Sequence, residues 1–282
     1  MLTPRVAAIH DMSGFGRCSL TVAIPILSAM GLQCCPLPTA FLSTHTGGFQ
    51  GFTFLDMTDE MPKVAAHWNS LGLEFQAIYS GFLGSERQIG IVADFIRAFR
   101  RPDTIVVVDP VMGDDGQAYQ TYTPDLCAGM ARLAELADVI TPNLTEAAFL
   151  LGRDYGDLPR DEAGLRRIAE ELSLGGRRSV ALTGAALAPG RTGAVCFDAA
   201  SGRTETVQTD FIAHPLHGTG DVFASVLTGA LVKGASLTEA ARQAVEFIRA
   251  CAERTVAEDL PLREGVDFEP LLGLLTNKEG TL

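Results

Sequence analysis

The sequence predicts an α/β fold: a mostly parallel central sheet with helices on both faces. Three observations carry that expectation. Short β-rich runs alternate with helix-length apolar patterns along the chain, the rhythm of repeated βαβ units. The run Thr104-Ile105-Val106-Val107-Val108 is apolar at successive positions, as a central parallel strand covered on both sides has to be. Finally, the unusual Gly-, Asp- and Thr-rich stretches follow strands, where an open parallel sheet places its ligand.

The elements run in order from the N-terminus. Residues 6–10 form a first buried strand, and Ser19 to Met30 a helix that Pro25 either kinks or delays. Residues 34–40 make a second strand and 60–71 a helix. Strand 77–80 ends at Gly81 and is followed by helix 86–99, strand 104–108 and helix 124–136. Strand 139–141 leads into helices 144–151 and 162–172. Strand 179–183 precedes a hairpin of 193–198 with 204–208, and helices 219–232 and 237–257 close the pattern. No Pro/Ser/Gly-rich linker or charge block divides the 282 residues. Residues 1–282 are therefore expected to form one domain, with 42–55 a candidate lid or substrate loop.

Composition narrows the function classes. A formal net charge of −12 repels the phosphate backbone of nucleic acid, which needs Lys and Arg to displace its counterions. A small phosphorylated ligand remains compatible, because a few backbone N–H groups or one metal ion outweigh the global field locally. No apolar stretch is long enough to span a bilayer, and the first residues lack a signal-peptide pattern. The six cysteines form no CxxC pair or Cys/His metal pattern. A cytoplasmic protein with no nucleic-acid or membrane partner is the expectation.

Four strand ends carry chemistry. Gly218-Thr219-Gly220-Asp221 opens a helix: glycines let a ligand approach the main chain, first-turn N–H groups attract an anion, and Asp221 can accept a hydroxyl proton. Asp221 as a simple helix cap is the competing reading. Asp109-Pro110-Val111-Met112-Gly113-Asp114-Asp115-Gly116 follows the valine-rich strand, and its carboxylates suit Mg²⁺ bridged to phosphates. Asp109 and Asp114 are the candidates there, and an acidic turn is the alternative. Thr141-Pro142-Asn143 with Glu146 fits a capping box, with Glu146 also a candidate for contact with a metal through water. The loop 43–49, Ser-Thr-His-Thr-Gly-Gly-Phe, offers hydroxyls and glycines for a substrate, with His45 given a structural role.

Together, Asp109-Pro110-Val111-Met112-Gly113-Asp114, Thr141-Pro142-Asn143 with Glu146, and Gly218-Thr219-Gly220-Asp221 resemble the ribokinase-like superfamily. Within it they are most similar to pyridoxal kinases, whose acidic loop continues with Gly and Tyr, as at Gly116 and Tyr119. The resemblance implies ATP-dependent phosphorylation of the 5′-hydroxymethyl group of a vitamin B6 form. Asp221 would be the base, with Gly218 and Gly220 contributing the anion hole. Asp109, Asp114 and Glu146 would surround Mg²⁺. Asp109, Thr141, Asn143, Glu146, Thr183, Gly184 and Thr219 would contact ATP, with Thr141 and Thr183 also approaching K⁺. Asp11, Thr46, Phe82 and Asp221 would face the vitamin. It also implies a homodimer.

Two departures from the family pattern stand out: Asp11-Met12 in place of Ser-His, and Phe82 in place of Tyr. A carboxylate at the ring's polar edge would favour a cationic substrate such as pyridoxamine. A hydroxymethylpyrimidine or sugar kinase of the same fold, and a protein that binds pyridoxal phosphate or nucleotide without turnover, are the alternatives. Helix position also implies that Asp221 is ionised at rest.

Overall fold

Alternating apolar residues need two layers to bury them, and the chain supplies both. A computed structural model describes residues 3–119, 122–212, 214 and 216–276. In strand β1 (Arg5–Ser13), Ala7 and Ile9 enter one apolar core while Val6 and Ala8 enter the other. Helix α1 (Leu20–Ala29) follows, and Pro25 lies within it rather than delaying its start. Strand β2 (Gln33–Leu42) and a three-residue β3 (Phe54–Asp56) precede α2 (Met61–Ser70) and β4 (Ala77–Ser80). Next come α3 (Glu86–Phe99), β5 (Ile105–Val108), and the small hairpin of β6 (Gly113–Asp114) and β7 (Gln117–Ala118).

The second half continues with α4 (Pro124–Ala134), β8 (Val139–Ile140), α5 (Leu144–Leu151), α6 (Glu162–Leu172) and β9 (Ser179–Thr183). An antiparallel pair, β10 (Arg191–Asp198) and β11 (Arg203–Asp210), leads to α7 (Thr219–Val232) and α8 (Leu237–Ala257).

The nine strands of the main sheet lie in the order β11-β10-β9-β8-β5-β4-β1-β2-β3. The six from β9 to β2 are parallel, and antiparallel strands extend both ends. One core packs α2 to α6 on one face of the sheet, and the other packs α1, α7 and α8 on the opposite face. Chain order reverses beside β1: β2 lies to one side, and β4, β5, β8 and β9 follow on the other. Such a switch point opens a crevice outside the carboxyl ends of the strands. Asp11, Gly81, Asp109, Thr141 and Thr183 all lie at those ends. Among the described residues, no helix is long and apolar enough to cross a membrane.

Candidate active site

Helix α7 begins with a turn that only glycine can make. Gly218, its N-cap, has φ 78° and ψ 0°, and a Cβ there would come within 2.1 Å of the Arg17 carbonyl oxygen. At Gly220 a Cβ would meet no atom within 4 Å, so the space before the first turn is open. The first N–H groups of a helix lack intrahelical acceptors, so Gly218, Thr219 and Gly220 together offer an anion site. Asp221 is the third helical residue and lies beside it.

Helix position and burial act on Asp221 in opposite directions. Burial raises its pKa to about 7, with the Ser19 N–H hydrogen bond pulling down and the Asp11 carboxylate pushing up. Across the crevice, Asp109 is raised to about 8 by burial and then by the charge of Asp221, with the Thr141 hydroxyl opposing. Asp109 is itself the second-largest cause raising Glu146, after burial. Asp114 is raised as well, first by burial. A row of mutually repelling carboxyl groups thus crosses the strand ends, and residues over a hundred positions apart meet there.

The acidic loop is held from beneath by α5. Asn143 Oδ1 accepts from the Glu146 N–H at 2.9 Å, and Glu146 Oε2 accepts from the Asn143 N–H at 2.8 Å: the expected capping box. The same residues reach into the loop. Asn143 Nδ2 donates to the Gly113 carbonyl (2.8 Å), Met112 N–H to Glu146 Oε1 (3.2 Å) and Gly116 N–H to Thr145 Oγ1 (2.8 Å). Asp115 and Gly116 both have positive φ (47° and 76°), the signature of a type I′ hairpin turn. The acidic turn is therefore a real local structure as well as a charged one. Thr141 Oγ1 donates to Asp109 Oδ1 at 2.9 Å.

Among the described residues, no three His, Cys, Asp or Glu side chains converge into a ready-made metal cage. Asp109, Asp114 and Glu146 do not form such a cluster in the ligand-free protein; each Glu146 oxygen accepts one backbone N–H, Asp114 Oδ1 accepts from Asp115, and each of these oxygens keeps a second lone pair. The donors are all oxygen, and the repulsion among them is of the kind a cation relieves. They fit Mg²⁺ as one wall of a shell that phosphate and water complete.

Asp11 lies 6% exposed, its oxygens accepting from Ser19 Oγ at 2.6 Å and Ser13 Oγ at 3.3 Å. Two serine hydroxyls thus fix the Asp11 carboxylate, and its charge is felt by Asp221. Ser19 is a site residue that the sequence hides. A Ser before an apolar helix reads as an N-cap, yet here it makes no side-chain cap and adopts φ 54°, ψ −127°. A non-glycine residue there is strained by about 1–3 kcal/mol.

On the proposed vitamin side, Thr46 is exposed in the loop between β2 and β3, and Phe82 is half-buried after β4, edge-on to Tyr122. His45 is buried and structural, as expected. Gly47 N–H donates to its Nδ1, which makes Nε2 the protonated nitrogen donating to the Arg263 carbonyl at 2.8 Å. The imidazole of His217, which the sequence reading passed over, lies 5.3 Å from that of His45. Thr183 and Gly184 line a cleft of about 50 Å³ with Leu144 and Arg160. A larger concavity of about 980 Å³ lies around Lys233, Arg242 and Leu274, and none of these candidate residues lines it.

A doubly covered parallel sheet, an open glycine-flanked helix N-terminus and facing carboxyl groups define a phosphotransferase of the α/β kinase class. The phosphomethylpyrimidine kinase family profile matches residues 24–264, and the chain belongs to that family. A solved structure from Bacteroides thetaiotaomicron, described as a phosphomethylpyrimidine kinase and crystallised with pyridoxal, is 43% identical. It matches with a TM-score of 0.92 over 97% of this chain and 96% of its own. The pyridoxine/pyridoxal/pyridoxamine kinase of Bordetella bronchiseptica is 29% identical over 89% of each chain. The hydroxymethylpyrimidine/phosphomethylpyrimidine kinase of Rhizobium meliloti is 29% identical over 94% of this chain and 95% of its own.

Proposed function

We propose that this protein transfers the γ-phosphoryl group of ATP to the 5′-hydroxymethyl group of pyridoxal, pyridoxine or pyridoxamine. The observation that carries the reading is Asp221, beside the open N-terminus of α7 and within electrostatic reach of Asp109. The vitamer lies over the ends of β1, β2 and β4, near Thr46 and Phe82. The transferring phosphoryl group rests on the N–H groups of residues 218–220. Asp221 takes the hydroxyl proton as the oxygen attacks in line, and a base that titrates near neutrality suits that transfer. Mg²⁺, held on the side of Asp109, Asp114 and Glu146, supplies neutralisation of phosphate charge when bound. Thr141, Asn143, Thr183, Gly184 and Thr219 line the nucleotide side, with K⁺ near Thr141 and Thr183.

The thiols carry no disulfide among the described residues, in keeping with a cytoplasmic setting. The exposed Phe41, Phe54 and Leu55 on β2 and β3 are in keeping with a homodimer. Family membership and the Rhizobium relative favour hydroxymethylpyrimidine as the second candidate acceptor.

A labelled-ATP panel with the three vitamers and hydroxymethylpyrimidine, each with and without Mg²⁺ and K⁺, decides between them. Transfer to a vitamer is the expected result, and transfer to the pyrimidine alone would overturn the substrate assignment. Asp221→Asn lowers kcat by about 10²–10⁴, the range of a positioned acid–base group, and near-normal turnover would remove its role.

A further inference from the structure

We infer that Gln88 is a positioning residue for the acceptor site: its buried amide locks Phe82 and the β2–β3 arm that carries Thr46 into one wall. The inference rests on the reading that the acceptor lies near Phe82 and Thr46. Ser85-Glu86-Arg87-Gln88 has the spacing of a capping box, in which the side chain at 88 would turn back to the N–H of Ser85. Ser85 keeps its half of that pattern and accepts from the Gln88 N–H at 3.3 Å. The Gln88 side chain, 1% exposed, leaves its own helix instead.

One bond goes to the loop after β4. Gly84 N–H donates to Gln88 Oε1 at 2.8 Å, and since an N–H cannot accept, this fixes which end of the amide is oxygen. The nitrogen therefore faces the arm formed by β2 and β3. It donates to the Thr39 carbonyl of β2 at 2.9 Å and to Thr58 Oγ1, just beyond β3, at 2.9 Å. Thr58 Oγ1 donates onward to the Asp56 carboxylate of β3, so the amide and hydroxyl hydrogens of this chain all have acceptors. A second link runs beside the first: Thr39 Oγ1 donates to the Phe82 carbonyl at 3.4 Å. The Thr39 carbonyl also accepts the Met57 N–H at 3.0 Å, which closes the base of the arm. Further out, Ala40, Phe41 and Leu42 pair with Asp56, Leu55 and Phe54, and residues 43–53, Thr46 among them, form the tip. The base of the arm and the backbone of residues 82–84 thus share one amide. An apolar side chain at 88 would take this acceptor from the Gly84 N–H and unlink the two walls.

The test measures steady-state kinetics with the acceptor that wild type phosphorylates best. A wrong choice of vitamer then shows in wild type alone and leaves the Gln88 comparison intact. Gln88→Met keeps the length and removes the amide. It should raise KM for the acceptor by about 5- to 30-fold, the worth of one or two neutral hydrogen bonds, with kcat and KM for ATP little changed. That split marks lost binding of the acceptor, which a general loosening of the fold does not produce. Combined with Phe82→Ala, Gln88→Met should add no further rise, because the side chain it positions is gone. Thr58→Val removes one acceptor of the amide and should raise the same KM by a smaller factor. It is the reporting variant should the methionine protein fail to fold. An acceptor KM that stays at the wild-type value, a rise matched by KM for ATP, or equal rises with and without Phe82 overturns the inference.

Discussion

Two opposing influences act on Asp221, and their sizes decide its state. A helix N-terminus favours the ionised form by about 0.3–1 kcal/mol at an exposed site. Burial acts in the other direction, and moving the pKa from 3.8 to about 7 corresponds to roughly 4 kcal/mol. Burial wins in the ligand-free protein, so the carboxyl group is half protonated near neutrality. The sign of the stability effect follows. A carboxyl group that holds its proton more tightly when folded costs stability once it ionises, so the cost is absent below about pH 4 and complete above about pH 7. Asp221→Asn removes the cost. The variant should therefore melt several degrees above wild type at pH 8.5 and show no such gain at pH 4. A melting difference independent of pH would mean that the carboxyl group ionises freely in the native state.

Among the elements, α5 has the most demanding task, because one short helix both caps itself and holds the acidic hairpin. Asn143→Ala removes the acceptor for the Glu146 N–H and the donor to Gly113. Loss of an N-cap costs about 1–2 kcal/mol, and a domain of this size loses roughly 2–4 °C in Tm per kcal/mol. The expected result is a melting point lower by about 2–8 °C together with a raised KM for ATP, since the hairpin loses its tie. A melting shift with unchanged KM would separate the hairpin from nucleotide binding.

At this scale much of the fold was legible. Segments 86–99, 144–151, 162–172, 179–183, 219–232 and 237–257 have the predicted bounds, because each carries enough periodic positions to specify itself. β3, β6 and β7 escaped because two or three residues hold no period, and pairing partners elsewhere in the chain define them. The site divides in the same way. Glycines and carboxylates at strand ends announce themselves by type, and Asn143 with Glu146 by spacing. The bond from the Ser19 hydroxyl to Asp11 is invisible in the sequence, since it depends on a backbone angle at a residue eight positions away.

For the whole molecule, the topology concentrates acidity. Parallel strands end on one edge, α7 starts on that edge, and Asp11, Asp109, Glu146 and Asp221 are each raised by burial. Between pH 6.5 and 8.5, Asp221 and Asp109 lose protons that the unfolded chain released near pH 4, so stability falls as pH rises. With folded values of about 7 and about 8, that decline is on the order of 2–3 kcal/mol. His10 has the opposite sign. Burial holds it near 3, so it draws on stability only as pH falls below 6.5 and leaves the alkaline window to the carboxyl groups. Ligand-free protein should therefore lose several degrees of melting temperature from pH 6.5 to 8.5. A non-hydrolysable ATP analogue with Mg²⁺ should stabilise it more at pH 8.5 than at pH 6.5, because the cation binds the ionised wall and disfavours the protonated one. Asp109→Asn should flatten the ligand-free profile. A wild-type melting temperature that stays level across this range would show that the edge carries no electrostatic stress, and that nucleotide binding has none to relieve.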